Sequence, residues 1–595
     1  MGVPSYFREL LKKYPKIITN KINGRVSALY IDANCLFHPQ CFKVLDIHKD
    51  LSGDQLFNKM AKRITDYIDF LINEVDPKDL LYIAVDGTAP LAKINHQRYR
   101  RFGSANNYKH DIYRKYKIPF NDSWSNIVIT PGTQFMYRLH QHIMNYYKKS
   151  DLKCKVIYSS YLTVGEGEHK ILQHMKKNYL NNNKKNIVVY GLDADLIFLT
   201  LASQINNIYL MRESDVMDGK EEVDRDAIEQ PMKYVSINIV KLSINQDFQE
   251  AIDRLDEYYE GDPMFGSDEV EHKAKDERKE SNKMNIDNIN FVNDYILICY
   301  FLGNDFLPQL PSIDIRIHGL DIVIACYLET FQKFGYNLVQ LNEGNVSIDH
   351  LFFKEFILLL SCREDEFYKE LLPTQIHRHQ KKRCYESTPY KREIWEIENL
   401  KNIKQTDPFD IIKHGKTITL EEIKYKYYEH HLLTDHYMEE TKQDMIECYL
   451  EGMIWVARYY FEKCVAWKWH YHYSVAPFLS DIYSALKKKE LMTFDTSGIS
   501  DPVDMYVHLV AVVPPTFSYI LPKSLQNLST NYESPIIDMF PTDYELDTTY
   551  KQVLYKCHPI IPHIEIERVE SAVQKIKLDK NSITYSTRCD DLMIR

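Results

Sequence analysis

The 595-residue chain contains no run of about eighteen or more apolar residues, so its sequence offers no helix able to cross a bilayer. An apolar leader is missing as well: Arg8, Glu9, Lys12 and Lys13 charge the first stretch, so no secretory segment is expected. Gly2 is followed by Tyr6 where an acylation motif needs Ser or Thr. The eleven cysteines are odd in number and scattered, with no C-x-x-C pair. That pattern speaks against a disulfide framework or a zinc site and fits a reducing compartment. Positive net charge is also absent. The formal charge is −10, so any surface for a polyanion must be local rather than global. No internal repeat is visible.

What is present fits a large globular protein. Apolar residues make up 44% and charged residues 27%, enough to bury a core, and the length suggests about two to four structural units. The 44 tyrosines, with abundant Asn, Ile and Lys, suggest AT-rich coding, as in a large DNA virus or a protozoan. Short apolar runs at 26–31 (VSALYI), 80–85 (LLYIAV) and 187–192 (IVVYGL) alternate with helical patterns such as 55–74. This predicts an α/β fold with a parallel or mixed central sheet flanked by helices. Residues 254–285 are dense in charge and read as a mobile surface insertion. Residues 375–445 are polar with helical stretches. From 445 to 565 the chain is aromatic and proline-punctuated, which predicts a second, mostly helical region wrapping the first.

Each apolar run ends at an aspartate: Asp32, Asp86 and Asp193. One such Asp would pass as a turn residue or helix cap. Three together, at the strand ends where open α/β sheets bind ligands, predict a shared site. Glu166 and Glu168 in GEGEHK, Asp195 in GLDADLI and Asp305 in FLGNDFLP extend the set to seven acids. Carboxylates suit hard divalent cations, and two such ions can hold both the attacking and the leaving oxygen of a phosphodiester. The spacings Glu166-Gly167-Glu168 and Asp193-Ala194-Asp195 would aim both acids of each pair the same way if the turns were extended. A second feature is the acid-free segment KINHQRYRR (93–101). On a helix, Lys93, Gln97, Arg100 and Arg101 share one side. Taken alone, this fits a solvated helix face as well as a phosphate site.

The segments MGVPSYFRELLKKYP, DANCLFH, DGTAPLAKINHQRYRR, GEGEHK, YGLDADLI and GNDFLPQLP occur in this order. They are followed by YKYYEHHL (425–432), YLEGMIWVARYYFEKCVAWKWHYHYSVAPFLSDI (449–482), VVPPTFSYILP (512–522) and SPIIDMFPTDYELD (534–547). Together they resemble the XRN family of 5′-to-3′ exoribonucleases over nearly the whole chain, with a nuclease half distantly similar to flap endonucleases and PIN-like nucleases. The resemblance implies a nuclease unit over 1–330, interrupted by the 254–285 insertion, and a helical region over 331–595 that completes the site. It implies that Asp32, Asp86, Glu166, Glu168, Asp193, Asp195 and Asp305 hold two Mg²⁺ ions, with Mn²⁺ able to substitute. It implies that Lys93, Gln97, Arg100 and Arg101 receive a 5′-monophosphate. His38 and one of Trp467 or Trp469 would stack on bases; the sequence does not choose between the two tryptophans. The partner so implied is single-stranded RNA bearing a 5′-monophosphate, degraded stepwise to nucleoside 5′-monophosphates. A monomer in the cytoplasm, or in a viral factory or virion, is expected ahead of a nuclear protein.

The chain departs from the family at several points. His472 and Ser474 replace a typical Pro and His, and Val164 stands where a Pro usually precedes GEGEHK. No Cys lies between Cys154 and Cys299, so a zinc-knuckle insertion is not expected. The chain reads as a compact version without the extra C-terminal domains of the large cytoplasmic members. Two alternatives remain at this point. One is a DNA flap nuclease with the same acids, although no glycine-bearing helix-hairpin-helix is seen. The other is a non-catalytic RNA-end-binding scaffold, which loss of a central acid would favour.

Overall fold

A computed structural model describes residues 6–105, 108–180, 184–214, 226–261, 290–342, 344–401, 419–432, 438–490, 500–548 and 551–594. The elements that place the site begin with β1 (Ile18–Thr19), β2 (Val26–Asp32), α1 (Ala33–Ile47), α2 (Gly53–Val75), β3 (Leu80–Ala84) and α3 (Leu91–Ala105). They continue with β4 (Lys155–Ser159), α4 (Gly167–Tyr179), β5 (Asn186–Tyr190), α5 (Asp195–Ala202), β6 (Ile208–Glu213) and β7 (Met232–Ser236). Farther on come α6 (Gly319–Phe334), α7 (Met438–Phe461), α8 (Met505–Val512) and β8 (Leu592–Met593).

Among the described residues these strands form one eight-stranded sheet of order β1-β7-β6-β5-β2-β3-β4-β8. The five strands from β6 to β4 are mutually parallel, and β1, β7 and β8 join antiparallel, so the sheet is mixed. All seven residues of β2 are buried, which explains why its sequence is a continuous apolar run rather than an alternation. The two-residue period shows instead in what each side chain meets. Ala28 and Tyr30 join one core with Tyr82 and Val189. Leu29 and Ile31 join another with Met60, Ile64 and Leu71 of α2. Each fully buried Leu or Ile contributes about 1.5–3 kcal/mol through removal from water.

The first of these cores does not stop at the sheet. It runs through Tyr295, Phe306 and Tyr327 to Met453, Trp455 and Tyr459 of α7, so the aromatic helical region packs directly on one sheet face. Helix α6 runs unbroken across residue 330, so the chain has no structural break at the expected domain boundary. A third core joins Leu91, Ile94 and Phe102 of α3 to α8 and to Leu525, Phe540 and Val569. The basic helix is therefore clamped between the nuclease sheet and the C-terminal region. The charged segment divides: 254–261 continues the helix Ile237–Gly261, and 262–285 lies outside the described residues. Among the described residues no helix is long and apolar enough to cross a membrane.

Candidate active site

The chain moves outward from β2 to β3 and β4, then returns to β5 on the other side of β2. The crevice beyond the carboxyl ends of β2 and β5 is thus the point where strand order reverses. Asp32 closes β2, Asp86 follows β3, and Asp193 follows β5. Glu166 is the residue preceding α4 and Glu168 lies in its first turn, while Asp195 is the first residue of α5. Neither acidic pair sits in an extended turn, contrary to the spacing argument. Helices start at Gly167 and Asp195, and acids are favoured there because unpaired N–H groups and the helix dipole present partial positive charge. Gly167 is required for closeness. Its N–H donates to Asp86 Oδ1 at 2.7 Å, and a Cβ there would lie 2.8 Å from Asp32 Oδ1. Gly165, at φ +106°, makes the turn that delivers Glu166.

This concentration of buried acid is only partly neutralised. The Lys93 ammonium contacts Glu166 Oε1 at 2.5 Å and Asp305 Oδ2 at 2.7 Å. Burial opposes ionisation of Asp305, but Lys93 and His96 beside it hold its carboxyl well below the usual range. Elsewhere burial wins. It pushes Asp32 up to about 8, with Asp86 and Asp193 adding repulsion, and Asp195 up to about 7, with Asp305 adding to it. Asp86 and Glu168 are raised for the same first reason. Two buried oxygens, Glu168 Oε2 and Asp195 Oδ1, have no hydrogen-bond partner. Asp32, Cys35 and Asp193 each offer an atom within 4.8 Å of the other two. Raised carboxyls and partnerless buried oxygens are what a cation site looks like without its charge, so the residues fit a metal.

The basic helix does not present one face. Lys93 turns into the carboxylates. Gln97 Oε1 pairs with His508 Nε2 of α8 at 3.0 Å. Arg98, outside the set predicted to face phosphate, is buried. It donates to the carbonyls of Ala511, at 2.8 Å, and Met539 while lying between the Phe102 and Phe540 rings. Arg100 is exposed, and Arg101 keeps Nη1 buried without a hydrogen-bond partner. Burial lowers the His38 imidazole to about 4, with Arg100 and Arg101 adding repulsion and Asp193 opposing it. His38 therefore stands between the two arginines and the acids. Burial and then Arg101 likewise lower His508 to about 3.

The two tryptophans part company because the chain turns between them. Trp467 gives its carbonyl to the Leu91 N–H at 2.8 Å and lies with its ring edge 3.9 Å from where a Gly165 Cβ would be. It borders the acidic loop. Trp469 stacks on Trp455 at 5.0 Å and donates to Glu451 Oε2 at 3.0 Å, so its ring is engaged by α7.

Several residues of the site carry no sequence signal of their own. Lys170 donates to the carbonyls of Val85 and Ser160, at 2.7 and 2.9 Å, tying α4 to the ends of β3 and β4; burial lowers it to about 7. Its position four residues after Glu166, on the same helix face, was the available hint. Asn34 Nδ2 donates to Asp86 Oδ2 at 2.9 Å, and the Cys35 thiol to Asp32 Oδ2 at 2.8 Å. Arg212 donates to the Asp193 carbonyl at 2.6 Å. From α7, Tyr459 donates to Glu166 Oε2 at 2.7 Å and stacks on His169 at 4.2 Å, so the helical region orients a site acid directly. No local pattern could reveal a contact across 293 positions.

Residues 1–214 match the family described as XRN 5′-3′ exonuclease N-terminus, and residues 283–410 and 380–588 match the Xrn1 helical domain. Similar curated proteins include 5′-3′ exoribonuclease 1 of Homo sapiens, 27% identical over 99% of this chain and 35% of its own length. They also include 5′-3′ exoribonuclease 2 of Debaryomyces hansenii, 25% identical over 97% of this chain and 70% of its own. A third, 5′-3′ exoribonuclease 1 of Saccharomyces cerevisiae, is 26% identical over 96% and 43%. The chain thus spans about a third of the human relative's length.

Proposed function

Since the chain belongs to the XRN 5′-3′ exonuclease family, we propose that it is itself a 5′-to-3′ exoribonuclease. Its substrate is single-stranded RNA with a 5′-monophosphate, hydrolysed to nucleoside 5′-monophosphates with Mg²⁺, or Mn²⁺ in its place. The observation that carries this reading is the under-neutralised group of seven buried acids joined through Lys93 to a basic helix. Asp32, Asp86, Glu166, Glu168, Asp193, Asp195 and Asp305 would hold the cations. When bound, these supply Lewis-acid charge and lower the pKa of an attacking water.

The chain's own side chains do the rest. Arg100 and Arg101 take the terminal phosphate, and the partnerless Arg101 Nη1 is a donor awaiting an anion. Gln97, oriented by His508, bounds that pocket. Lys93 adds a point charge between the terminal phosphate and the acids. His38 and Trp467 stack on bases near the 5′ end, a contact worth roughly 1–3 kcal/mol per base and indifferent to sequence. Tyr459 and Lys170 hold Glu166 and the strand ends in register, placing the first internucleotide phosphate by pre-organisation. The eleven free cysteines support a reducing compartment, which we take to be the cytoplasm.

The test is one RNA labelled at its 3′ end and carrying a monophosphate, hydroxyl, triphosphate or cap. Each form is incubated with Mg²⁺ or with chelator, beside a 5′-phosphorylated DNA of the same sequence. Shortening of the monophosphate RNA alone, from its 5′ end and only with Mg²⁺, is expected. Cutting of DNA flaps, or RNA binding without cutting, would overturn the assignment.

A further inference from the structure

The acidic crevice also contains a sulfur. Cys35, in the first turn of α1, donates its thiol to Asp32, and Asp32, Cys35 and Asp193 place one ligand atom each within 4.8 Å of one another. Magnesium coordinates oxygen and gains nothing from this thiol. Zinc-class ions bind thiolate at ~2.3 Å and carboxylate at ~2.0–2.2 Å, which sets ligand atoms roughly 3.5 Å apart. The observed group needs only a small contraction to reach that spacing.

Two observations beyond the cluster itself point the same way. Asp195, only 2% exposed, keeps Oδ1 without a hydrogen-bond partner next to Asp193. The buried Arg212 lies beside both Cys35 and Asp193 and donates to the Asp193 carbonyl, so a cation already offsets a thiolate formed there. A hydrogen bond from the Leu192 backbone to Cys35 favours the same anion.

We propose that Asp32, Cys35 and Asp193 form a mixed carboxylate–thiolate position that captures thiophilic divalent cations such as Zn²⁺ and Cd²⁺, and that their capture blocks turnover supported by Mg²⁺. Binding exchanges the S–H bond for a sulfur–metal bond. The proton leaves to solvent, Asp32 Oδ2 loses its donor and becomes free for the ion, and no oxidation state changes. The blocking half of this inference rests on the nuclease reading above; the metal-binding half does not.

X-ray absorption on the metal-free full chain, loaded with one equivalent of Zn²⁺, reads the site without any activity assay. One sulfur at about 2.3 Å in the first shell is expected. Cys35→Ser, which keeps a hydroxyl donor for Asp32, should lose that sulfur and bind Zn²⁺ at least tenfold more weakly. A native shell of oxygen and nitrogen only, or a sulfur that persists in Cys35→Ser, overturns the site. In the RNA assay at fixed Mg²⁺, the Zn²⁺ concentration for half-inhibition should rise at least tenfold in Cys35→Ser, each protein being scaled to its own zinc-free rate. An unchanged midpoint overturns the blocking role. A chain inactive on every RNA would instead sink the nuclease reading, while the sulfur shell still decides the metal position.

Discussion

The carboxylate crevice and the basic helix lie side by side, yet they are assembled in opposite ways. In the crevice, acids from segments far apart in sequence converge, because parallel strands deliver their carboxyl ends to one edge. On α3, residues a turn or less apart diverge. Lys93 enters the acids, Gln97 meets α8, Arg98 is consumed by two backbone carbonyls, and Arg100 and Arg101 remain for an anion. A sheet edge thus gathers like residues into one chemistry, whereas a helix wedged between two cores distributes like residues among several.

The comparison breaks first at its acidic side. Asp193→Ala should lower cleavage roughly a thousandfold or more, as expected when a metal-binding charge worth several kcal/mol is lost. RNA affinity, measured by fluorescence anisotropy in chelator, should stay within about threefold because arginines and stacking carry it. Near-normal cleavage would remove Asp193 from the metal site.

Arg98→Ala tests the divergence on the helix. It leaves the carbonyls of Ala511 and Met539 without their donor in a buried setting, so stability should fall by about 3 kcal/mol in urea denaturation. The preference for monophosphate over hydroxyl RNA should be unchanged. A lost preference with intact stability would place Arg98 in the phosphate pocket after all.

Arg100→Ala combined with Arg101→Ala is the converse. Preference for monophosphate over hydroxyl ends should fall about tenfold or more, the scale of one charge-assisted hydrogen bond. The melting temperature should hold, since neither guanidinium supports a core. An unchanged preference would place the pocket elsewhere.

The smallest effect concerns how protons and metal share the acids. In the metal-free protein Asp32 titrates near 8 and Asp195 near 7, both raised first by burial. The unfolded chain releases those protons at about 3.9. The folded state therefore holds more protons between about pH 4 and pH 8, and its metal-free stability falls as pH rises through that window. The slope is about 1.4 kcal/mol per pH unit for each such proton. Buried neutral histidines such as His38 act oppositely below about pH 6.5, but equally with and without metal. Magnesium must displace the carboxyl protons, so the stabilisation it confers should grow from about pH 6 to about pH 8. Paired melting curves with Mg²⁺ and with chelator measure that increment; one that shrinks with rising pH would contradict the burial-raised acids.

Much of the crevice was legible before folding. Apolar runs ending in Asp32, Asp86 and Asp193 are local patterns, and a strand's direction carries its last residue to the sheet edge whatever else the chain does. The helix over KINHQRYRR was legible for the same reason, since periodicity is local. The extended turns at GEGEHK and GLDADLI were misread because an N-terminal acid suits a helix start as well as it suits a strand exit. The choice of Trp467 over Trp469 beside the acids, the engagement of Lys93, and the hold of Tyr459 on Glu166 were not legible at all.

By itself, then, the sequence determined the residue types of the site and the strands and helices that bear them, because alternation, apolar runs and charge-free stretches depend on near neighbours. Only the tertiary structure decided which of those residues meet: which cation pairs with which acid, which guanidinium is left for substrate, and that a thiol shares the crevice with two carboxylates. Those pairings depend on how two separate cores close on α3 and α7, and burial makes each buried polar group take a partner from whatever the packing brings within reach.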